Sequence, residues 1–256
     1  MRITLLGTGT LTGVPMIGCN CRTCTSTDPR DKRLRVSALI ETDSATIVID
    51  TSSDFREQIL RAGVKKIDAI LYTHHHMDHI GGFDDLRAFQ FLKIPVPMCY
   101  ATKETYDVIR RTFPYAFGVV PNTGGAKVES IPFTMIENAP FEVGGLRIEP
   151  IPIDHGILDI IGFRIGNFAY ITDCKRIPVA SKEKLKGLDV LVLDGLRYRE
   201  HPTHMTIDEA ITAVKELSPK MTYLTHMTHD ILHAEADAKL PPNVRFGWDG
   251  MQVEIQ

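Results

Sequence analysis

Long apolar runs are missing from this 256-residue chain: none approaches the roughly 20 residues a membrane-spanning helix requires. A surplus of positive charge is missing too. The formal net charge of −3 argues against broad, salt-sensitive binding to nucleic acid, which needs an excess of Lys and Arg. Neither a membrane nor a nucleic acid is therefore expected as a partner. No continuous apolar secretory region opens the chain either. Ile3 to Cys21 carry no charge and follow Arg2, but Gly7, Gly9, Gly13, Pro15 and Gly18 interrupt them. The stretch reads as a strand, Arg2 to Leu6, followed by a Gly/Thr turn, and a cytoplasmic protein is expected. No Pro-, Gly- or Ser-rich linker, low-complexity tract or short repeat divides the sequence, so one domain is expected over residues 1–256. Cysteine is sparse and odd in number, five in all, which does not suit a disulfide framework. Cys19, Cys21 and Cys24 cluster as metal ligands do. Cys99 and Cys174 stand alone, and Cys99 reads as a small buried hydrophobe.

What is present is ordinary for a globular protein: 43% hydrophobic and 24% charged residues. Short apolar segments recur at Val36–Ile40, Thr46–Ile49, Ile67–Tyr72, Val96–Tyr100, Leu146–Ile153, Phe163–Ile165, Phe168–Ile171, Val190–Leu193 and Met221–Leu224, many ending in a polar cluster. Gly166-Asn167 reads as a two-residue hairpin loop. Thr206-Ile207-Asp208-Glu209 is a capping box that starts a helix, with Ile207, Ala210, Ile211, Val214 and Leu217 on one face. Strands outnumber helices without strict alternation. That pattern predicts an α+β or α/β fold in which two mixed sheets pack face to face with helices outside.

The strand Ile67–Tyr72 runs directly into Thr73-His74-His75-His76-Met77-Asp78-His79-Ile80-Gly81-Gly82. Residues two apart in an extended chain point to the same side, so His74 and His76 can grip one ion while His75 faces away. A turn at Met77 would swing Asp78 and His79 toward a second ion. The glycine pair is expected to permit that turn, ahead of a helix with Phe83, Leu86 and Phe89 on one face. Four imidazoles within six residues, internal and directly after a strand, suit metal binding far better than solvated loop histidines.

The motif Thr-His-x-His-x-Asp-His after a strand resembles the signature of the metallo-β-lactamase superfamily, and further motifs follow in that family's order along essentially the whole chain. Leu6-Gly7-Thr8-Gly9-Thr10 looks like its opening strand and turn. His155 looks like the next ligand, Asp173 like the bridging carboxylate and His226 like the last ligand. The resemblance implies the αβ/βα four-layer sandwich. It also implies His74, His76 and His155 on one ion, Asp78, His79 and His226 on another, and Asp173 between them. Nitrogen and oxygen donors suit Zn²⁺, Mn²⁺ or Fe²⁺ alike.

Cys19, Cys21 and Cys24 supply three thiolates within a loop of about residues 18–35, and a tetrahedral structural zinc needs a fourth ligand. His229, three residues after His226, is the candidate. The cysteine arm with His226-x-x-His229 resembles the PhnP-like phosphoribosyl 1,2-cyclic phosphate phosphodiesterases. That resemblance implies hydrolysis of 5-phosphoribosyl 1,2-cyclic phosphate to ribose 1,5-bisphosphate, and a homodimer. Two ions about 3.5–4 Å apart supply a hydroxide and polarise a phosphoryl oxygen, with Asp78 orienting the nucleophile. His204, just before the capping box, is the candidate proton donor or phosphate contact. His201 nearby is undecided. Asp50 is a candidate to accept the second N–H of a ligating histidine, and Asp194 to tie loops near the site. Arg176, Arg197 and Arg199 are candidates to hold a substrate phosphate. The rival readings are a tRNA 3′-processing nuclease, whose basic arm is not found here, a thioesterase or lactamase, and a non-catalytic metal-binding module.

Overall fold

A run of consecutive apolar residues suits a strand covered on both faces, because its side chains alternate between two cores. Ile47 and Ile49 pack into one buried layer and Val48 into another, and Val190 and Val192 separate from Leu191 and Leu193 in the same way. The computed structural model describes residues 1–118 and 129–255. Strands β1 (Arg2–Gly7), β2 (Ser37–Glu41), β3 (Thr46–Ile49), β4 (Ala69–Leu71), β5 (Met98–Ala101) and β6 (Phe133–Met135) belong to a first sheet. Strands β7 (Phe141–Val143), β8 (Leu146–His155), β9 (Leu158–Ile165), β10 (Phe168–Ile171), β11 (Val190–Asp194), β12 (Met221–Thr225) and β13 (Val244–Phe246) form a second, and β14 (Gln252–Glu254) returns to the first. The orders are β14-β1-β2-β3-β4-β5-β6 and β13-β12-β11-β10-β9-β8-β7. One half of each sheet is antiparallel and the other parallel: β3 to β6 in the first, β10 to β13 in the second.

The middle layer joins Ile3, Ile40, Ile47 and Leu71 of the first sheet to Phe163, Phe168, Tyr170 and Val192 of the second. Helices close both outer faces. On the first sheet lie α1 (Phe55–Ala62), α2 (Met77–Ile80), α3 (Arg87–Phe91) and α4 (Lys103–Thr112), with Phe55, Ile80 and Ile109 set against Val48 and Ile70. On the second lie α5 (Val179–Lys184), α6 (Ile207–Leu217) and α7 (His233–Asp237), with Ile207, Ala210 and Val214 set against Leu191 and Leu193. Each fully buried Ile or Leu contributes about 1.5–3 kcal/mol relative to exposure. The expected two-sheet sandwich with outer helices is the fold the chain adopts. Among the described residues no helix is long and apolar enough to cross a membrane.

Several local readings hold in detail. Thr206 Oγ1 accepts from the Glu209 N–H, and the Glu209 carboxylate accepts from the Thr206 N–H. The β9–β10 hairpin turns at Gly166, at φ 58°. Other readings differ. The helix expected across Phe83, Leu86 and Phe89 divides into a tight turn, Phe83–Leu86, and the short α3, because Phe83 and Leu86 drop into the core. Gly81 and Gly82 do not turn through positive φ, standing at −61° and −90°. They are required by close approach instead: a Cβ on Gly82 would lie 2.3 Å from the Ser52 carbonyl oxygen.

Candidate metal centre

Register brings distant polar residues to one edge of the sandwich. Ile171, Leu193 and Leu224 are aligned across β10, β11 and β12. These strands run parallel, so two residues further on Asp173 and His226 emerge at the same level, with Asp194 between them. In the first sheet Ile49 and Leu71 are aligned in parallel, so Asp50 and Thr73 emerge together. Asp50, Asp173 and His226 all have positive φ, at 62°, 55° and 62°. Such conformations cost about 1–3 kcal/mol each outside glycine and concentrate at functional sites.

Two four-membered groups of donors result, beside a smaller one of Asp194, His204 and His226. In one, ligand atoms of His74, His76, His155 and Asp173 all lie within 4.8 Å of one another; in the other, those of Asp78, His79, Asp173 and His226 do. His74 Nε2 and His76 Nδ1 stand 3.0 Å apart. Asp173 belongs to both groups. Its Oδ1 lies 3.9 Å from His74 Nε2 and 3.3 Å from His226 Nε2, and its Oδ2 lies 3.2 Å from His79 Nε2. Asp78 Oδ2 is 3.6 Å from His79 Nε2 and 3.5 Å from His226 Nε2. His75 joins neither group.

The outward ring nitrogens of His74, His79 and His155 are tied down, whereas His226 Nδ1 is buried without a partner among the described residues. His79 Nδ1 donates to Asp50 Oδ2 at 2.8 Å, and Thr73 Oγ1 donates to the same oxygen at 2.8 Å. Because the Thr73 hydroxyl proton is committed to Asp50, its oxygen accepts from His74 Nδ1 at 3.0 Å. This chain fixes Nδ1–H on both His74 and His79 and leaves both Nε2 atoms facing inward. His155 Nδ1 likewise donates to the Thr203 carbonyl at 2.9 Å. Metal-binding histidines are presented in this manner. Asp50 therefore does what its position suggested. The part of Thr73 escaped sequence reasoning, although its place between a strand end and a histidine was visible.

Electrostatics agree with a cation. Burial, only partly offset by Asp173, pulls the pKa of His74 well down, and burial lowers those of His76 and His155, so these rings are held neutral. Burial opposes ionisation of Asp173 and Asp78, but the imidazoles around them prevail and both carboxyls stay below the usual range. His79 and His226 are raised, since carboxylates led by Asp173 outweigh burial. The Nε2 atoms of His79 and His226 are nevertheless buried without a hydrogen-bond partner. Among the described residues, only histidines lie within ion-pair reach of Asp78 and Asp173. Five imidazoles and two ionised carboxylates converging on one place, with the Nε2 atoms of His79 and His226 unpartnered, fit divalent ions.

His204 is no surface histidine. It is 7% exposed, its ring stacks on that of His226 at 4.7 Å and 12°, and its Nε2 lies 3.9 Å from Asp173 Oδ1. Asp194 Oδ2 faces its Nδ1 at 3.0 Å and accepts the Cys174 N–H at 2.9 Å. Asp194 thus orients His204 rather than merely joining loops. The ring of His201 lies 5.0 Å from that of His204. Cys174 is buried, and burial raises its thiol pKa well up, away from reactivity. The three candidate arginines already have partners. Arg197 donates to the carbonyls of Arg199 and Glu200, Arg176 pairs with Asp154 at 2.6 Å, and Arg199 faces Asp230 at 3.9 Å.

A second centre lies close by in sequence. His229 Nδ1 faces the sulfurs of Cys19, Cys21 and Cys24 at 3.2, 3.4 and 3.7 Å. These four ligand atoms gather within 4.8 Å, and none of the cysteines forms a disulfide. Burial opposes ionisation of Cys21, but the Cys24 N–H and neighbouring groups bring its pKa down to about 6; burial pushes Cys24 up to about 11. Three sulfurs and one imidazole suit zinc.

A family model described as the Beta-lactamase superfamily domain matches residues 45–227. A solved structure, described as a new diphosphatase from the PhnP family, superposes with a TM-score of 0.91 at 43% identity, covering 99% of this chain and 97% of that one. An octanoyltransferase of Porphyromonas gingivalis is 43% identical over 258 residues, which are 100% of this chain and 52% of that protein. The chain therefore spans about half the length of that relative. The short form of human tRNase Z superposes with a TM-score of 0.71 over 100% of both chains, but at 19% identity the likeness is one of fold alone.

Proposed function

Because the chain belongs to the β-lactamase superfamily, and within it to the PhnP family, we propose that it is a metal-dependent phosphoric diester hydrolase acting on a small phosphorylated sugar. The proposed substrate is 5-phosphoribosyl 1,2-cyclic phosphate, opened to ribose 1,5-bisphosphate. The observation that carries the reading is His204. It is buried, oriented by Asp194 and stacked on a candidate ligand, and its Nε2 lies 3.9 Å from Oδ1 of Asp173, the residue common to the two donor groups.

Two divalent ions, held by His74, His76 and His155 and by Asp78, His79 and His226 with Asp173 in common, would supply Lewis acidity toward water and the phosphoryl oxygens. The chain's own residues do the rest. Asp78 offers a carboxylate to orient the attacking water. That water's oxygen bonds to phosphorus as one of its protons passes by way of the Asp78 carboxylate to solvent, and the bond from phosphorus to the sugar O2 breaks. The alkoxide left at O2 is strongly basic and takes a proton from His204 Nε2, while Asp194, 3.0 Å from Nδ1, keeps the ring in place.

A second reading has one observation in its favour, the 43% identical relative described as a diphosphatase. A diphosphate presents the same kind of phosphorus, but its leaving phosphate, with a second pKa of about 6, needs a proton donor much less. Comparing kcat/KM for 5-phosphoribosyl 1,2-cyclic phosphate, a diphosphate, linear nucleotide diesters, precursor tRNA and an octanoyl thioester separates the readings. The cyclic phosphate should lead the series. A diphosphate in front would move the proposal to the second reading, and tRNA or the thioester in front would overturn both. The same proposal includes a cytoplasmic homodimer without nucleic-acid or membrane partners.

A further inference from the structure

Arg33 heads the fully buried side chains by volume, with a side-chain exposure of 0%. A guanidinium withdrawn from water is tolerated when its charge is matched and most of its donors are used; here Nε is buried without a partner among the described residues, and both terminal nitrogens are engaged. The charge is matched by Asp31, itself buried, at 3.1 Å. The remaining contacts go to a loop far away in sequence: Nη1 donates to the Thr228 carbonyl at 3.0 Å and Nη2 to the Ile231 carbonyl at 2.7 Å. Asp31 Oδ1 also accepts the His233 N–H at 2.8 Å, at the far end of the same loop. The backbone of Arg33 is fixed independently, by paired bonds with Val14 at 2.7 and 2.8 Å.

Between β12 and α7 this loop has no regular structure, yet it carries one donor of each centre. His226 belongs to the group with Asp78, His79 and Asp173, and His229 to the three cysteines. His226 sits at φ 62°, which disfavours any residue with a Cβ. On its near side the loop is held by Met227, bonded to Thr8 and Thr10 at 2.9 and 3.1 Å. On its far side, a turn from Thr228 to Ile231 encloses His229, and Arg33 grips a carbonyl at each end of that turn. The cysteine arm that ends at Arg33 thus holds the loop twice, through a side chain inside and through the sulfurs facing His229.

We propose that Arg33 is a positioning residue that couples the two centres, so that the guanidinium and an ion among the cysteines together set how tightly the Asp78/His79/His226 group binds its own ion. This rests on the reading that both groups bind divalent ions, and it needs no particular substrate. The test uses the full chain loaded with zinc, in the wild type, in Arg33→Lys and in the paired variant Asp31→Asn/Arg33→Met. The pair avoids stranding a buried carboxylate, and the side-chain oxygen of the introduced asparagine can still accept from His233. Ion stoichiometry and release into a chromogenic chelator are followed together with thermal unfolding. In the paired variant the cysteine-held ion should leave at least ten times faster. The Asp78/His79/His226 ion should weaken about 10–100-fold, as on loss of an outer positioning contact, while the His74/His76/His155 ion changes little. Arg33→Lys keeps the charge but leaves a side chain that cannot reach both carbonyls, so an intermediate loss is expected. Equal weakening of all three ions, or unchanged affinities beside a lower melting temperature, would show an ordinary structural residue and overturn the proposal. Since affinity and not turnover is read, this result is separate from that of the substrate panel.

Discussion

Replacing Asp50 by asparagine probes the hydrogen-bond chain beneath the metal centre. Asp50 is fully buried and accepts from Thr73 N, Thr73 Oγ1 and His79 Nδ1, each at 2.8 Å. Oδ1 serves the first donor and Oδ2 the other two. Asparagine has the same shape and tolerates the left-handed backbone at this position, so the fold should persist. With its oxygen kept on Thr73 N, the new NH2 faces two groups that previously donated. The least costly relief moves the His79 proton to Nε2, so that Nδ1 accepts from the amide. Nε2 then no longer serves as a ligand. The expected loss is about 10–100-fold in affinity for the ion at Asp78/His79/His226, or roughly 1.4–2.7 kcal/mol. Each lost charge-assisted hydrogen bond costs about 1.5–3 kcal/mol. Part of that is returned, because burial raises the pKa of Asp50 and the variant buries no charge. The ion-free protein should therefore melt only slightly lower. Competition titration with a chelator, on protein shown to be folded, measures both ions. An unchanged affinity at the His79 group would refute the tautomer argument.

Three further outcomes are expected. His204→Ala should lower kcat for an alkoxide-leaving substrate about 10²–10⁴-fold with ion content unchanged, and lower it less for a diphosphate; equal losses on both would remove His204 as proton donor. Burial pushes the pKa of Asp249 up to about 6, although Leu34 N and Thr8 Oγ1 donate to it at 2.7 and 2.8 Å. A carboxyl whose folded pKa lies above its unfolded value of about 3.9 binds more protons when folded. Its stabilising contribution is thus complete below about pH 4 and falls by roughly 3 kcal/mol as the pH rises through about 6. Denaturant titrations of ion-free protein should show that slope in the wild type and not in Asp249→Asn; matching slopes would contradict it. Gly82→Ala should destabilise by about 1–3 kcal/mol or more, since its Cβ would meet Ser52 O at 2.3 Å and Phe55 Cβ at 2.6 Å, and an unaltered melting temperature would show that the loop yields freely.

The difference between what was legible in the chain and what was not follows the range of the interactions concerned. His74, His76, Asp78 and His79 lie within six residues, so their convergence needs only strand and turn geometry. The capping box at Thr206 and the hairpin at Gly166 are equally local, and the alternating or continuous apolar segments suffice to announce two covered sheets. Four of the three-residue strands, Phe133–Met135, Phe141–Val143, Val244–Phe246 and Gln252–Glu254, are too short to show a period and exist because a neighbouring strand offers its edge.

Tertiary structure alone decided the rest. Parallel register carries Asp173 and His226 to one level, and β11 carries Asp194 beneath His204. Residues separated by tens of positions meet there because backbone pairing aligns strand ends, which no local pattern records. Arg33 is the clearest case: a charged side chain is expected at the surface, and only the folded loop of Thr228 and Ile231 provides the carbonyls that make its burial tolerable. Local spacing thus determined which residues were capable of metal chemistry. The partners that orient them are settled by long-range packing, because a hydrogen bond needs its two atoms brought within about 3 Å of each other.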